Sequence, residues 1–144
     1  MPTDALVDLV AILASSPAMY IADSGIWSYP GDEGLKLALA DIVADQRNIA
    51  DRAASVLAAR EVSPPQSGYP LSYTAWHDLD LAFLLPRIIE GMRRQLAAID
   101  ALVASGSGDA AAVELAREAA ATTRGHVDVL EQQASRLRRA SAPA

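Results

Sequence analysis

Apolar positions along three long stretches recur as heptads. Between residues 32 and 60 the stripe is Leu35, Leu39, Ile42, Gln46, Ile49, Ala53 and Val56; between 72 and 104 it is Leu81, Leu85, Ile88, Met92, Leu96, Ile99 and Val103. Between 109 and 139 it is Val113, Ala116, Ala120, Thr123, Val127, Leu130, Ala134 and Leu137. A period of 3.5 residues is the seam of helices packed side by side. Two seams carry a polar residue at mid-length, Gln46 and Thr123, which predicts a polar layer near the midplane of the core. The pattern predicts an all-α fold, an antiparallel helical bundle of three long helices.

A shorter helix is expected over residues 4–15. Thr3 or Asp4 can cap it, and Leu6, Leu9, Val10 and Leu13 fall on one face, with Ser16-Pro17 ending it or starting another turn. Met19 to Gly31 has no period, and its Tyr20, Trp27 and Tyr29 are expected to fold over one end of the bundle. Pro64-Pro65, Gly68 and Pro70 make Glu61 to Leu71 a loop, after which Ser72 or Thr74 can cap the next helix. Pro86 interrupts the hydrogen bonding of that helix, so a kink is expected there. Ser105-Gly106-Ser107-Gly108 is a tight connection, and Asp109 is the cap expected for the last helix. The whole chain, 1–144, reads as one domain.

Loop lengths suggest directions. A helix over 32–60 is about 43 Å long, whereas an eleven-residue loop spans at most about 35–40 Å. The second and third helices should therefore run antiparallel, as should the third and fourth. On that alignment Gln46, the Pro86 to Glu90 turn and Thr123 to His126 lie at one height.

Composition narrows the picture. Hydrophobic residues make up 51% of the chain but aromatics only 5%, and much of the apolar content is alanine, which suits close helix packing. Twelve basic against 18 acidic residues give a net charge of −6, a field that repels phosphate backbones and anionic lipid, so neither nucleic acid nor a membrane is an expected partner. The absence of cysteine excludes disulfides, thiolate nucleophiles and Cys-ligated metals. No apolar run is long enough to span a bilayer, and the chain reads as a soluble, cytoplasmic protein.

The run DRAASVLAAREVSPPQSGYP, Asp51 to Pro70, resembles the close of a long helix in ferritin-like proteins: an acid–arginine pair, a helix end of small residues and a Gly/Pro loop. The resemblance covers about 20 residues and implies a helical bundle. Members that bind two irons use a Glu from each of two helices and a Glu-x-x-His pair from each of the others. This chain has no Glu-x-x-His.

A reduced site remains conceivable: Asp45, Glu90 and His126 fall at similar height, with Asp41 on the face of Asp45. One imidazole and two or three carboxylates could hold a single divalent ion such as iron, manganese or zinc. The plainer reading has these groups solvated or paired with Arg47, Arg87 and Arg124, and needs no cofactor. His77-Asp78-Leu79 resembles the start of a histidine-kinase dimerisation helix, but Asp80 follows where a basic residue is wanted. No serine sits in a Gly-x-Ser-x-Gly elbow. Six of the seven aromatics fall in two groups, Tyr20, Trp27 and Tyr29, and Tyr69, Tyr73 and Trp76, expected at opposite poles.

These residues predict a non-catalytic structural or interaction module. The first helix covers only part of a fourth wall, so self-association as a homo-oligomer, or another protein partner, is expected to complete the burial. The alternative is a ferritin-like metal-binding or oxidoreductase bundle.

Overall fold

The computed structural model of the chain describes residues 4–24, 33–63, 69–76, 81–105 and 108–141. His77, Trp27, Tyr29 and the Pro64-Pro65 step lie outside them. The described residues form five α-helices: α1 Asp4–Ala14, α2 Pro17–Ser24, α3 Glu33–Ala59, α4 Leu81–Ala104 and α5 Ala110–Ser141. A 3-10 helix, Leu71–Trp76, lies between α3 and α4, and no strand occurs among the described residues. The three long helices pack together, and α4 continues through Pro86.

The seams read from the sequence are buried nearly throughout. Leu35, Leu39, Ile42, Gln46, Ile49 and Ala53 of α3, and Leu81, Leu85, Ile88, Met92 and Ile99 of α4, are all buried. Each fully buried leucine or isoleucine contributes about 1.5–3 kcal/mol relative to exposure. In α3 the stripe ends on Leu57 rather than Val56, because a straight helix at 3.6 residues per turn drifts from a strict heptad.

The core divides into two halves along the bundle. One joins Leu35, Leu39 and Ile42 to Leu81, Leu85 and Ile88 and to Val127 and Leu130. The other joins Ile49, Ala53 and Leu57 to Ile99 and to Ala112, Ala116 and Ala120. Early α3 thus meets early α4, and late α3 meets late α4. These two helices run the same way, contrary to the expected reversal. Polar contacts agree: Arg60 with Asp109, Arg52 with Glu118 and Asp45 with His126 pair descending positions of α3 with ascending ones at and along α5. Asp100 with Arg124 and Arg93 with Glu131 do the same between α4 and α5.

The cause is where α4 begins. Ser72 and Thr74 sit in the 3-10 helix instead of capping an α-helix, so 21 residues separate Ala59 from Leu81. That many can reach about 70 Å, ample to return along α3, which is about 40 Å long. The return is visible in the aromatics. Tyr20 packs against Tyr69 at 5.0 Å and against Tyr73 at 5.3 Å between ring centroids, so Tyr20 shares one place with these two rather than lying at the opposite pole.

The end of α3 launches this crossover. Val62 N–H donates to the Leu57 carbonyl at 2.9 Å and Glu61 N–H to that of Ala58 at 3.0 Å, while Glu61 takes a left-handed φ of 59°. This is the Schellman closure of a helix, with Val62 packed into the core half that holds Leu57.

The fourth wall is built differently from expectation. At Ser16-Pro17 the first helix has ended, at Ala14, and a second, α2, starts. The Ser16 hydroxyl accepts from Met19 N–H at 3.4 Å and its carbonyl accepts from Tyr20 N–H at 3.1 Å, with Pro17 at the first helical position, where no N–H is needed. Leu6, Leu9 and Leu13 of α1 join one core half, and Ala18 and Ile21 of α2 join the other. Together α1 and α2 line both halves, so the premise of an incomplete wall does not hold.

Candidate functional site

Polar groups converge where α1 gives way to α2. The Ser16 hydroxyl donates to Gln46 Oε1 at 2.5 Å. Gln46 Nε2 donates to Gln95 Oε1 at 2.9 Å and contacts Met92 Sδ at 3.9 Å. Gln95 Nε2 in turn donates to the Ile12 carbonyl at 3.1 Å, which at the end of α1 also accepts from the Ser15 hydroxyl at 2.9 Å and from Ser15 N–H at 3.3 Å. The helix break and the polar layer are therefore one construction: the break presents the Ser16 hydroxyl and the Ile12 carbonyl, and two amides on α3 and α4 bond to them. Gln46 and Gln95 are 3% and 7% exposed, and no buried side-chain nitrogen or oxygen among the described residues lacks a partner.

Thr123 is also buried, at 2% exposure. Among the described residues, however, Gln46 has no hydrogen bond to Thr123; its partners are on α1–α2 and α4. The two share a height because each sits near the middle of its helix, and midpoints coincide whichever way helices run.

Beside the network lies a cleft of about 380 Å³, lined by Ile12, Ser15 and Pro17, by Pro70, Ser72 and Tyr73 of the crossover, and by Gly91, Arg94, Gln95 and Ala98 of α4. Gly91 lets α4 approach the break: a Cβ there would lie 3.0 Å from Pro17 Cγ. The Tyr73 hydroxyl donates to the Ser15 carbonyl at 3.2 Å, and its ring stacks on Trp76 at 4.3 Å. Burial pushes the Tyr73 hydroxyl above its ordinary pKa, with the positive Arg94 pulling the other way.

The three residues considered for a metal are not brought together. His126 Nε2 lies 2.7 Å from Asp45 Oδ2, joining α5 to α3, with Asp45 half-exposed. Glu90 is exposed, pairs with Arg94 at 3.4 Å and lines a second cleft beside Tyr73 and Trp76. Among the described residues no three His, Asp or Glu side chains cluster as metal ligands would. Glu90 was matched to the wrong height because a helix beginning at 72 has its middle near residue 88, whereas that of α4 lies at Met92. Of the arginines considered as partners, Arg124 pairs with Asp100 at 2.7 Å and Arg87 lies over the Phe83 ring at 4.7 Å.

At the other end Asp109 caps α5. Its carboxylate takes both Arg60 guanidinium nitrogens, at 2.7 and 3.1 Å, and accepts from Ala112 N–H at 3.4 Å. The Arg60 hydrogen bonds hold this carboxyl below its ordinary range, with the N–H groups of Ala112 and Ala111 adding to the effect against the cost of burial.

Gln95 and Ser16 were missed in the sequence, although Gln95 carried a signal. Ile88, Met92, Gln95 and Ile99 continue the alternation of four and three, which the step from Met92 to Leu96 breaks. Ser16 was legible as a cap but not as a partner for α3.

Compared with protein-family models, curated proteins and solved structures, the chain matches none. No helix among the described residues is long and apolar enough to cross a membrane.

Proposed function

We propose that this chain is a non-catalytic structural or interaction module, a helical bundle in which α5 runs antiparallel to both α3 and α4. The observation that carries the reading is the use made of the chemistry-bearing side chains. Gln46, Gln95 and Ser16 satisfy one another across three walls, and Asp45 with His126, and Arg60 with Asp109, tie α3 to α5. Polar groups spent on helix-to-helix contacts specify register and packing, the role best attested for buried polar layers. The single long crossover between α3 and α4 is the connectivity of ferritin-like bundles, and supports the resemblance of Asp51 to Pro70 at the level of fold.

Self-association stays in the proposal on different ground from an open wall. Leu37 and Phe83 are 68% and 54% exposed on the outer faces of α3 and α4, apolar area that a second copy would cover. Light scattering coupled to size exclusion tests it: a mass that is a multiple of the 15.2 kDa chain is expected. A strictly monomeric mass at micromolar protein removes self-association from the proposal.

A metal-binding reading has one observation in its favour, the contact of an imidazole and a carboxylate in Asp45 and His126. The donor set does not fit a dinuclear iron centre, which needs bridging carboxylates from several helices. Elemental analysis after purification without chelator decides between the two. About one equivalent of iron, manganese or zinc, lost in Asp45→Ala, would replace the structural reading; a trace amount would retain it.

A further inference from the structure

The cleft beside the helix break has features that the packing of the bundle does not require. Gln95 is nine-tenths buried on its wall, and its two hydrogen bonds, from Gln46 and to the Ile12 carbonyl, leave one N–H of its amide without an acceptor among the described residues. Arg94, one residue earlier on the same wall, is held among the described residues only by the long, exposed contact with Glu90 at 3.4 Å, a pair that constrains a guanidinium weakly. Most of its five donors are unspent. The Ser72 hydroxyl stands on the crossover side. Between these donors the walls are apolar, from Ile12, Pro17, Pro70, Ala98 and the Tyr73 ring.

Donors on the walls of an otherwise apolar cleft, two of them adjacent on α4, select a ligand with acceptor oxygens on a compact apolar body. The volume of about 380 Å³ falls within the span of small-molecule sites, roughly 300–1,000 Å³. We infer that this cleft is a binding site for a small organic carboxylate, with its oxygens on Arg94 and the Gln95 amide and its apolar part against Pro17, Pro70 and Tyr73. Arginine suits the role because its planar fork matches both oxygens of a carboxylate. Gly91 contributes by bringing α4 against Pro17, which sets Arg94 and Gln95 on a wall shared with the break.

The test uses the full chain and phenylacetate, with phenylacetamide as its uncharged isostere. Amide chemical shifts are followed by NMR, and the Gln95 side-chain NH₂ pair is the direct reporter. Saturable shifts centred on Gly91, Arg94 and Gln95 are expected for the acid, with a dissociation constant of about 1 mM or tighter. Arg94→Gln, an exposed substitution that leaves the core intact, should weaken binding about tenfold or more, the scale of a lost charge-assisted pair. Ala98→Leu, which fills the cleft, should abolish it while the helical circular dichroism is kept. An equal response to the amide, unchanged affinity in Arg94→Gln, or the absence of saturable binding would each overturn the inference.

Discussion

Gln46 Nε2 donates to Gln95 Oε1 across 2.9 Å, joining two helices that face each other across the core, with α1 and α5 each packed against both, and that run the same way without a tight turn between them. Parallel helices that meet only across the core lack the register that a short loop imposes. The amide pair, anchored to the break through Ser16 and the Ile12 carbonyl, supplies it.

The pair should be energetically coupled. Replacing Gln46 by leucine leaves Gln95 and Ser16 short of partners, and each orphaned buried group costs about 1–3 kcal/mol. The doubly substituted Gln46→Leu/Gln95→Leu chain should recover part of that loss, giving a coupling energy of about 0.5–3 kcal/mol from urea unfolding. The cycle of Gln46→Leu with Thr123→Val, two residues that share no hydrogen bond, should give a smaller value. The reverse order would place the polar layer on α5 rather than on α4.

Asp109 makes acid stability specific to one site. Its folded carboxyl lies below the unfolded value of about 3.9, so the stabilisation is fully present above that pH and is lost as pH falls through the folded value. Asp109→Asn keeps a good cap but loses the charge opposite Arg60, whereas Asp109→Ala loses the cap as well, worth about 0.5–2 kcal/mol. The stability advantage of the wild type over Asp109→Asn should be flat from pH 7 to about pH 5 and shrink below pH 4. A gap that grew on acidification would contradict the Arg60 contact.

Glu61 holds a left-handed backbone conformation at the close of α3, where glycine carries no Cβ penalty. Glu61→Gly should stabilise the protein by about 0.5–1 kcal/mol, part of the roughly 1–2 kcal/mol left-handed penalty being offset by the extra freedom of glycine in the unfolded chain. Thermal unfolding would show this as a rise in Tm, and a fall would mean that the closure at Val62 is not maintained.

Local patterns in the sequence report faces, and here they did so well. The stripes of α3 and α5 picked out buried Gln46 and Thr123, and Asp109 was recognised as a cap because N-cap chemistry is local. Direction was not legible in the same way. A seam looks alike read from either end, and the direction of α4 relative to α3 rested on one loop length. That length depended on whether Ser72 and Thr74 open an α-helix. They sit in a 3-10 turn, where Thr74 Oγ1 donates back to the Leu71 carbonyl at 2.7 Å and Tyr73 N–H to that of Pro70 at 3.0 Å. Short polar side chains bond to nearby backbone in turns as readily as at caps, so the residue types alone did not separate the two. The misplaced start shifted the midpoint of α4 and carried Glu90 into a site it does not join.

The direction of α4 can be measured without disturbing the core. Ala58, Phe83 and Ala101 are exposed, one late on α3 and the others early and late on α4. Phe83 and Ala101 are separated by about 27 Å along the helix axis at 1.5 Å per residue. Spin labels at 58 and 101 should therefore lie closer together than labels at 58 and 83, by about 10–20 Å once the sideways offset of the two helices across the bundle is included. Pulsed electron spin resonance reads both distances. The opposite order would mean that α4 runs against α3, that the crossover does not return along the bundle, and that Gln95 meets Gln46 by some other path or not at all.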